Sequence, residues 1–253
     1  MGTSGWQYRD WRGAFYPSVA RQSQWLEYYA SQFDTVEVNN TFYRLPEERT
    51  FADWAARVPD SFEYAIKASR YLTHYKRLRD PEEPVERLLQ RAEPLRARLG
   101  VVLLQLPPDL QCAPADLDRT LRAFGGRVRI AVEPRHPSWW NPDVRAVLES
   151  HAAALCLTDR GGRMTSPSWK TTDWTYLRFH AGRARPAPCY GNRALSMWVA
   201  RVSELFGSDP HGYAYFNNDA HGCAPRDAAH FRGLLDARRE RAPTRAAPRP
   251  SRP

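Results

Sequence analysis

The sequence predicts a single (β/α)8 barrel over residues 1–237, followed by a disordered basic tail over residues 238–253. Three observations predict the barrel. Eight short apolar runs alternate with seven amphipathic helical stretches, and eight β/α units occupy about 250 residues in folds of this type. Nearly every run ends in a polar or charged residue, as expected where the carboxyl ends of barrel strands meet at one mouth. No G-x-G-x-x-G turn follows the first run, which weighs against a doubly wound open sheet.

The elements follow in order. GTSGW near the start is the first strand, although no apolar run precedes it: either this strand is very short or the protein's start lies further upstream. SQWLEYYASQF is a helix with Trp25, Tyr28, Tyr29 and Phe33 on one face. The strand TVEVNN, the helix EERTFADWAARV and the strand EYAIKAS come next. VERLLQRAEPLRARLG reads as a helix closed by Gly100 as its C-cap. GVVLLQLPP, RIAVEPRH and ALCLTD are strands separated by the helices ADLDRTLRAFGG and PDVRAVLESHA. RGGRMTSPSWKTTDW is a loop in place of the eighth helix. The strands TYLRFHA and GYAYFNND and the helices ALSMWVARVSELFG and PRDAAHFRGLLDARR complete the set. Proline or an acidic residue stands near several helix starts, where first turns favour them.

Composition narrows the function classes. A net charge of +9 suggests nucleic acid, but the tail alone carries +5 of it, with six arginines against one glutamate. Its Arg/Pro/Ala composition without apolar periodicity predicts disorder. No apolar run is long enough to span a bilayer and no signal-peptide pattern opens the chain. Cys112, Cys156, Cys189 and Cys223 are scattered without a C-x-x-C pair, which weighs against a zinc site and a disulfide framework and points to a reducing cytoplasm.

The stretch VEVNNTFYR raises the functional question. It starts as a buried strand, then places Glu37, Asn39 and Asn40 where a core wants aliphatic residues, and such groups are costly unless paired or used. The other strand ends behave alike: Thr3 and Ser4, Lys67, Gln105, Glu133 with Arg135 and His136, Asp159, Arg178 with His180, Asn217 with Asn218. Glu37/Asn39, Glu133/Arg135 and Arg178/His180 are spaced by two, so each pair shares a face of its strand. Glu37, Lys67, Glu133 and His180 are the candidates for acid/base or nucleophilic chemistry. Asn39, His74, Arg135, His136, Arg178, Asn217 and Asn218 are the candidates for substrate contact, with Trp6 and Tyr43 as stacking faces. The structural alternatives stand beside these readings. Glu133 and Arg135 can form a bracing ion pair, His180 can complete a core network, and Asn217 and Asn218 can form a turn with Gly222.

In order, GTSGWQYRDWRGAFYP, FDTVEVNNTFYRLP, FEYAIKASRYLTHYKRL, LGVVLLQLPP, AVEPRHPSWW, YLRFHA and YAYFNNDAHGCAPRDA resemble the signature segments of the YecE-like family, domain of unknown function 72. The resemblance covers about residues 2–237 and implies a barrel of the TIM type. It supplies no reaction; the family has been likened to endonuclease IV-type barrel nucleases by analogy alone. Two departures are visible: His180 is followed by Ala181 before Gly182 where the family pattern has His-Gly, and apolar residues before GTSGW are lacking.

Three functions are expected, in this order. The first is binding of, or action on, a phosphorylated small molecule or single-stranded nucleic acid, with Lys67, Arg135 and Arg178 on phosphate oxygens. Glu37, Glu133, Asp159 and His180 offer an oxygen-rich set for a hard divalent cation, while the scarcity of histidines disfavours a zinc cluster. The second is a sugar-acting hydrolase with Glu37 and Glu133 as its acid/base pair, or a lyase forming a Schiff base on Lys67. The third is a non-catalytic scaffold that docks through its basic tail. No membrane partner is expected.

Overall fold

The computed structural model describes residues 1–207 and 209–241. Nine strands alternate with the helices: β1 (Gly2–Thr3), β2 (Thr35–Val38), β3 (Glu63–Lys67), β4 (Leu99–Gln105), β5 (Arg129–Glu133), β6 (Ala154–Arg160), β7 (Arg163–Met164), β8 (Trp174–Phe179) and β9 (His211–Phe216). The helices are α1 (Trp25–Gln32), α2 (Asn40–Tyr43), α3 (Glu48–Ala56), α4 (Glu82–Arg91), α5 (Pro114–Phe124), α6 (Pro142–Ser150), α7 (Asn192–Phe206) and α8 (Cys223–Arg241). Eight strands pair in parallel in the order β1-β9-β8-β6-β5-β4-β3-β2, and β7 folds back antiparallel on β6. A bridge between Ser4 and Glu37 joins the two ends of that order, so the expected eight-stranded TIM-type barrel is formed.

The missing helix falls where the loop chemistry places it. Gly161 and Gly162 turn β6 into β7 at positive φ, and an irregular segment then leads to β8. Residues 238–241 continue α8, and the rest of the tail lies outside the described residues.

Strand β1 covers Gly2–Thr3, and its packing explains the glycine there. A Cβ on Gly2 would collide with the carbonyl oxygen of Thr35 on β2, at the point where the barrel closes. Gly2→Ala is therefore expected to cost about 1–3 kcal/mol through overpacking, read as a fall of several degrees in melting temperature. Gly100 corrects another expectation. It lies inside β4, where a Cβ would stand 2.5 Å from the Tyr213 hydroxyl; α4 ends nine residues earlier, at Arg91. Propensity could not show this, because the crowding comes from a residue more than a hundred positions away.

Two cores result. The barrel interior holds Ala65, Leu103, Ala131 and Cys156 with four aromatic residues, Trp174, Tyr176, Tyr213 and Tyr215. The layer between strands and helices holds the larger apolar cluster, including Trp6, Trp11, Trp25 and Trp139. The expectation against disulfides is also corrected: Cys189, in the loop after β8, is bonded to Cys223 at the start of α8, with Cα atoms 4.9 Å apart. Their separation of 34 residues carries no sequence motif that would pair them.

Candidate active site at the barrel mouth

The alternation of each strand decides which polar residues enter the barrel. On β2, Thr35 bonds the interior Tyr215 hydroxyl, so Glu37 two residues later also points inward. Interior Ala131 and Tyr176 do the same for Glu133 and Arg178. These three form one buried lattice. Arg178 donates to Glu37 Oε1 at 2.8 Å and to Glu133 Oε2 at 2.5 Å. Ser4 and Tyr176 hydroxyls donate to Glu37 at 2.7 and 2.6 Å. Arg135 approaches Glu133 Oε1 from the solvent side at 3.0 and 3.1 Å. Glu37, Glu133 and Arg178 are all buried.

Burial pushes the Glu37 carboxyl up, but the Arg178 charge and three hydrogen bonds hold it below the ordinary range. Glu133 is likewise penalised by burial and held well below that range by Arg178, His180 and Arg135. Both are carboxylates at neutral pH, with no proton to donate. This weighs against the hydrolase reading in which one of them is a general acid, since that role needs a raised pKa.

Lys67, on β3, has a different position. Among the described residues it makes no ion pair; its ammonium lies 4.0 Å over the Phe42 ring. Burial, then the Arg178 charge, lowers its pKa to about 8, so it is still mainly charged at about pH 7. His180 Nε2 sits 3.6 Å from Glu133 Oε1, while its Nδ1 meets the Asn217 amide at 3.2 Å. Burial lowers the pKa of His180 and of His74, so both imidazoles are neutral at about pH 7. His74 packs edge-on against Phe42 at 4.9 Å. The mouth thus holds three cations, Lys67, Arg135 and Arg178, against two carboxylates. Among the described residues, Asn39 Oδ1, His180 Nε2 and Arg178 Nε are buried without a hydrogen-bond partner.

Several expected site residues lie elsewhere. Asp159 is one position out of phase with interior Cys156 and Thr158. It faces the helices, accepting from the Tyr190 hydroxyl at 2.7 Å and the Trp198 indole at 2.8 Å. The proposed cation set of Glu37, Glu133, Asp159 and His180 therefore does not converge, and no group of three or more candidate ligands assembles among the described residues. Asn218 also points outward, donating to Asp227 of α8 at 2.8 Å. His136 caps the turn Pro137–Trp139, accepting from the Ser138 amide. Trp6 is buried, with its ring 5.4 Å from Trp54, and is a core residue. Glu37, Asn39, Lys67, Glu133, Arg135, Arg178, His180 and Asn217 face the mouth as the spacing predicts, with His74 on the adjoining loop. Tyr43 stands at its rim, 67% exposed.

A family model described as "Protein of unknown function DUF72" matches residues 1–252. This chain belongs to the DUF72 family. Among curated relatives, UPF0759 protein YunF of Bacillus subtilis is 24% identical over 93% of this chain and 94% of its own. UPF0759 protein YecE of Escherichia coli K12 is 33% identical over 46% of this chain and 43% of its own. A DUF72 crystal structure from Thermotoga maritima superposes with a TM-score of 0.79 at 29% identity, covering 93% of this chain and 98% of that one. One from Enterococcus faecalis gives 0.72 at 22% identity, covering 85% and 94%. The family-level resemblance and the TIM-type barrel both stand.

One mouth residue of this DUF72 protein escapes sequence reasoning. Asp219, just after β9, is partly buried; burial, with Asp10 and Glu37 nearby, raises its pKa to about 7. Its Oδ1 has no protein partner, and its backbone carbonyl accepts from the Trp11 indole at 2.8 Å. Only its place beyond a strand end hinted at a role, and the two preceding asparagines read as a turn. Because the folded pKa lies above the unfolded value of 3.8, the folded state binds the extra proton between the two values. Stability contributed by that proton is complete below about 3.8 and lost as pH rises through about 7. Asp219→Asn is expected to remove this dependence, gaining in melting temperature over wild type as pH rises across that window.

No described helix is long and apolar enough to cross a membrane.

Proposed function

We propose that this protein binds a phosphorylated substrate at the carboxyl mouth of its barrel, with Lys67 as the principal phosphate contact and Arg135 as the second. One observation carries the reading: Arg178 is consumed by Glu37 and Glu133, while Lys67 stays charged, half-buried and without a carboxylate partner among the described residues. An anion supplies that partner, and a charge-assisted bond in a partly dry site is stronger than one in water. Arg178 thus takes a different part from the one expected of it. It fixes the two carboxylates, and through them Arg135 and His180, rather than touching phosphate.

Protonation states bear on which groups can move a proton. His180 and His74, neutral at about pH 7, can accept a proton; Asp219, titrating at about 7, can give or take one. Glu37 and Glu133, both ionised, orient their neighbours, which weighs against the sugar-hydrolase reading that makes one of them the acid. The phosphate reading includes single-stranded nucleic acid as well as phosphorylated metabolites.

The test is fluorescence anisotropy of a labelled single-stranded oligonucleotide across salt, with full-length protein, a 1–241 truncation and Arg135→Ala. Binding that survives truncation with a steep log–log salt slope, and a shallower slope for Arg135→Ala, supports phosphate contacts in the barrel. Binding by the full-length chain alone assigns the charge signal to the tail and removes nucleic acid from this reading.

A further inference from the structure

Only five large apolar side chains are strongly exposed among the described residues, and three of them, Tyr43, Tyr71 and Tyr75, line one cavity of about 310 Å³. The cavity adjoins the mouth. Phe42, whose ring carries Lys67 on it, is also part of its wall. Leu45, Pro84 and Leu88 complete the apolar lining. The Arg70 guanidinium stands 6.0 Å from the Tyr43 ring and 5.6 Å from the Tyr75 ring.

The backbone that carries Tyr71 and Tyr75 is anchored. Tyr71–Tyr75 form one wide helical turn, a geometry frequent at functional sites. The chain then passes through Arg77 and Leu78, both at positive φ, which non-glycine residues adopt only when their surroundings impose it. Leu78 is fully buried, its carbonyl accepts from Thr120, and Arg77 pairs with Asp109 at 2.9 Å.

We infer that this Tyr43–Arg70–Tyr75 cavity is a stacking subsite for a nucleobase whose phosphate lies on Lys67. The inference rests on the phosphate reading of the mouth and names its substrate class. Flat aromatic faces with a guanidinium beside them suit a planar π-system, which stacks without needing particular hydrogen bonds. The lining also carries Ser69, Glu83 and Arg87, which can meet the polar edge of a base while the rings take its face. At about 310 Å³ the cavity sits at the small end of ligand sites, which start at roughly 300 Å³, and suits one or two bases rather than a larger ligand. Mononucleotides and single strands share this chemistry.

The test titrates the full chain with deoxyribose 5-phosphate, thymidine 5′-monophosphate and a fluorescein-labelled oligothymidylate. The nucleotide should bind roughly 5- to 150-fold more tightly than the abasic phosphate, the range expected for one stacked base. Tyr43→Ala and Tyr75→Ala should each reduce that margin, and the phenylalanine variants should keep it. Lys67→Met should weaken both phosphates and leave their ratio unchanged. These tyrosines are exposed, so unchanged melting temperatures check that the variants fold. Affinity that rises further with oligonucleotide length assigns the site to a strand, and saturation at the mononucleotide assigns it to a free nucleotide. A ratio near one with unaffected alanine variants overturns the subsite, while Lys67-dependent binding of the abasic phosphate would keep the mouth reading. A tyrosine-dependent margin with affinities for both phosphates that Lys67→Met does not weaken overturns the mouth reading and keeps a base site. If none of the three probes binds, both fall.

Discussion

Replacing Arg178 by methionine is expected to lower stability by about 3–5 kcal/mol, the cost of removing one partner from a buried ionic group. In a chain of this size that is a loss of roughly 6–20 °C in melting temperature. Glu37 and Glu133 would both remain in the barrel interior, facing each other without the guanidinium that satisfies them at 2.8 and 2.5 Å. The loss should be largely reversed by adding Glu37→Gln and Glu133→Gln, because neutral amides leave no uncompensated charge. Arg178→Lys should fall between, keeping the charge and losing the two-armed contact. A single variant that melts with wild type, or a triple variant no better than the single one, contradicts the lattice as described.

The second large effect is on binding. Lys67→Met is expected to weaken phosphate esters roughly 10- to 150-fold, the worth of about 1.5–3 kcal/mol for a hydrogen bond to a charged group. The pH dependence has a definite sign. Only the protonated amine holds the anion, so wild-type affinity should fall as pH rises through and above about 8. Lys67→Arg should bind evenly across the same range. Stability moves the other way. The folded pKa of about 8 lies below the ordinary 10.5, so the unfolded chain binds more protons between those values, and stability rises with pH across them. Below about 8 the lysine costs stability, and Lys67→Met should melt higher than wild type there while binding worse. Opposite signs in the two assays would mark a residue kept for a ligand rather than for the fold; a variant that loses both would mark a structural lysine.

Much of this site was readable from strand spacing. Residues two apart share a face, so Glu37/Asn39, Glu133/Arg135 and Arg178/His180 could be assigned to one mouth without coordinates. The same logic failed by one position at Asp159 and Asn218, because a strand end does not announce which of two adjacent residues turns inward. Register against interior neighbours such as Cys156 decides it. The role of Arg178 was misread for a related reason. Sequence shows a cation at the mouth, but whether it is free or consumed depends on Glu37 and Glu133, 141 and 45 residues away. Trp6 and His136 answered to tertiary packing and a local cap. The tyrosine cavity was invisible beyond Tyr43, since its other rings come from the loop after a different strand. The Cys189–Cys223 bond joins a loop to a helix across the fold, which spacing does not encode.

The central claim is that Lys67 is a charged, unpartnered group awaiting an anion, and NMR of reductively ¹³C-methylated protein tests it most directly. The sequence holds only three lysines, Lys67, Lys76 and Lys170, so the spectrum is sparse, and Lys67→Arg assigns the signal. The account predicts a Lys67 resonance that titrates near 8 in the free protein and shifts to higher pH on adding deoxyribose 5-phosphate, with Lys76 and Lys170 unmoved. A Lys67 resonance that titrates with the other two and ignores the phosphate would contradict it.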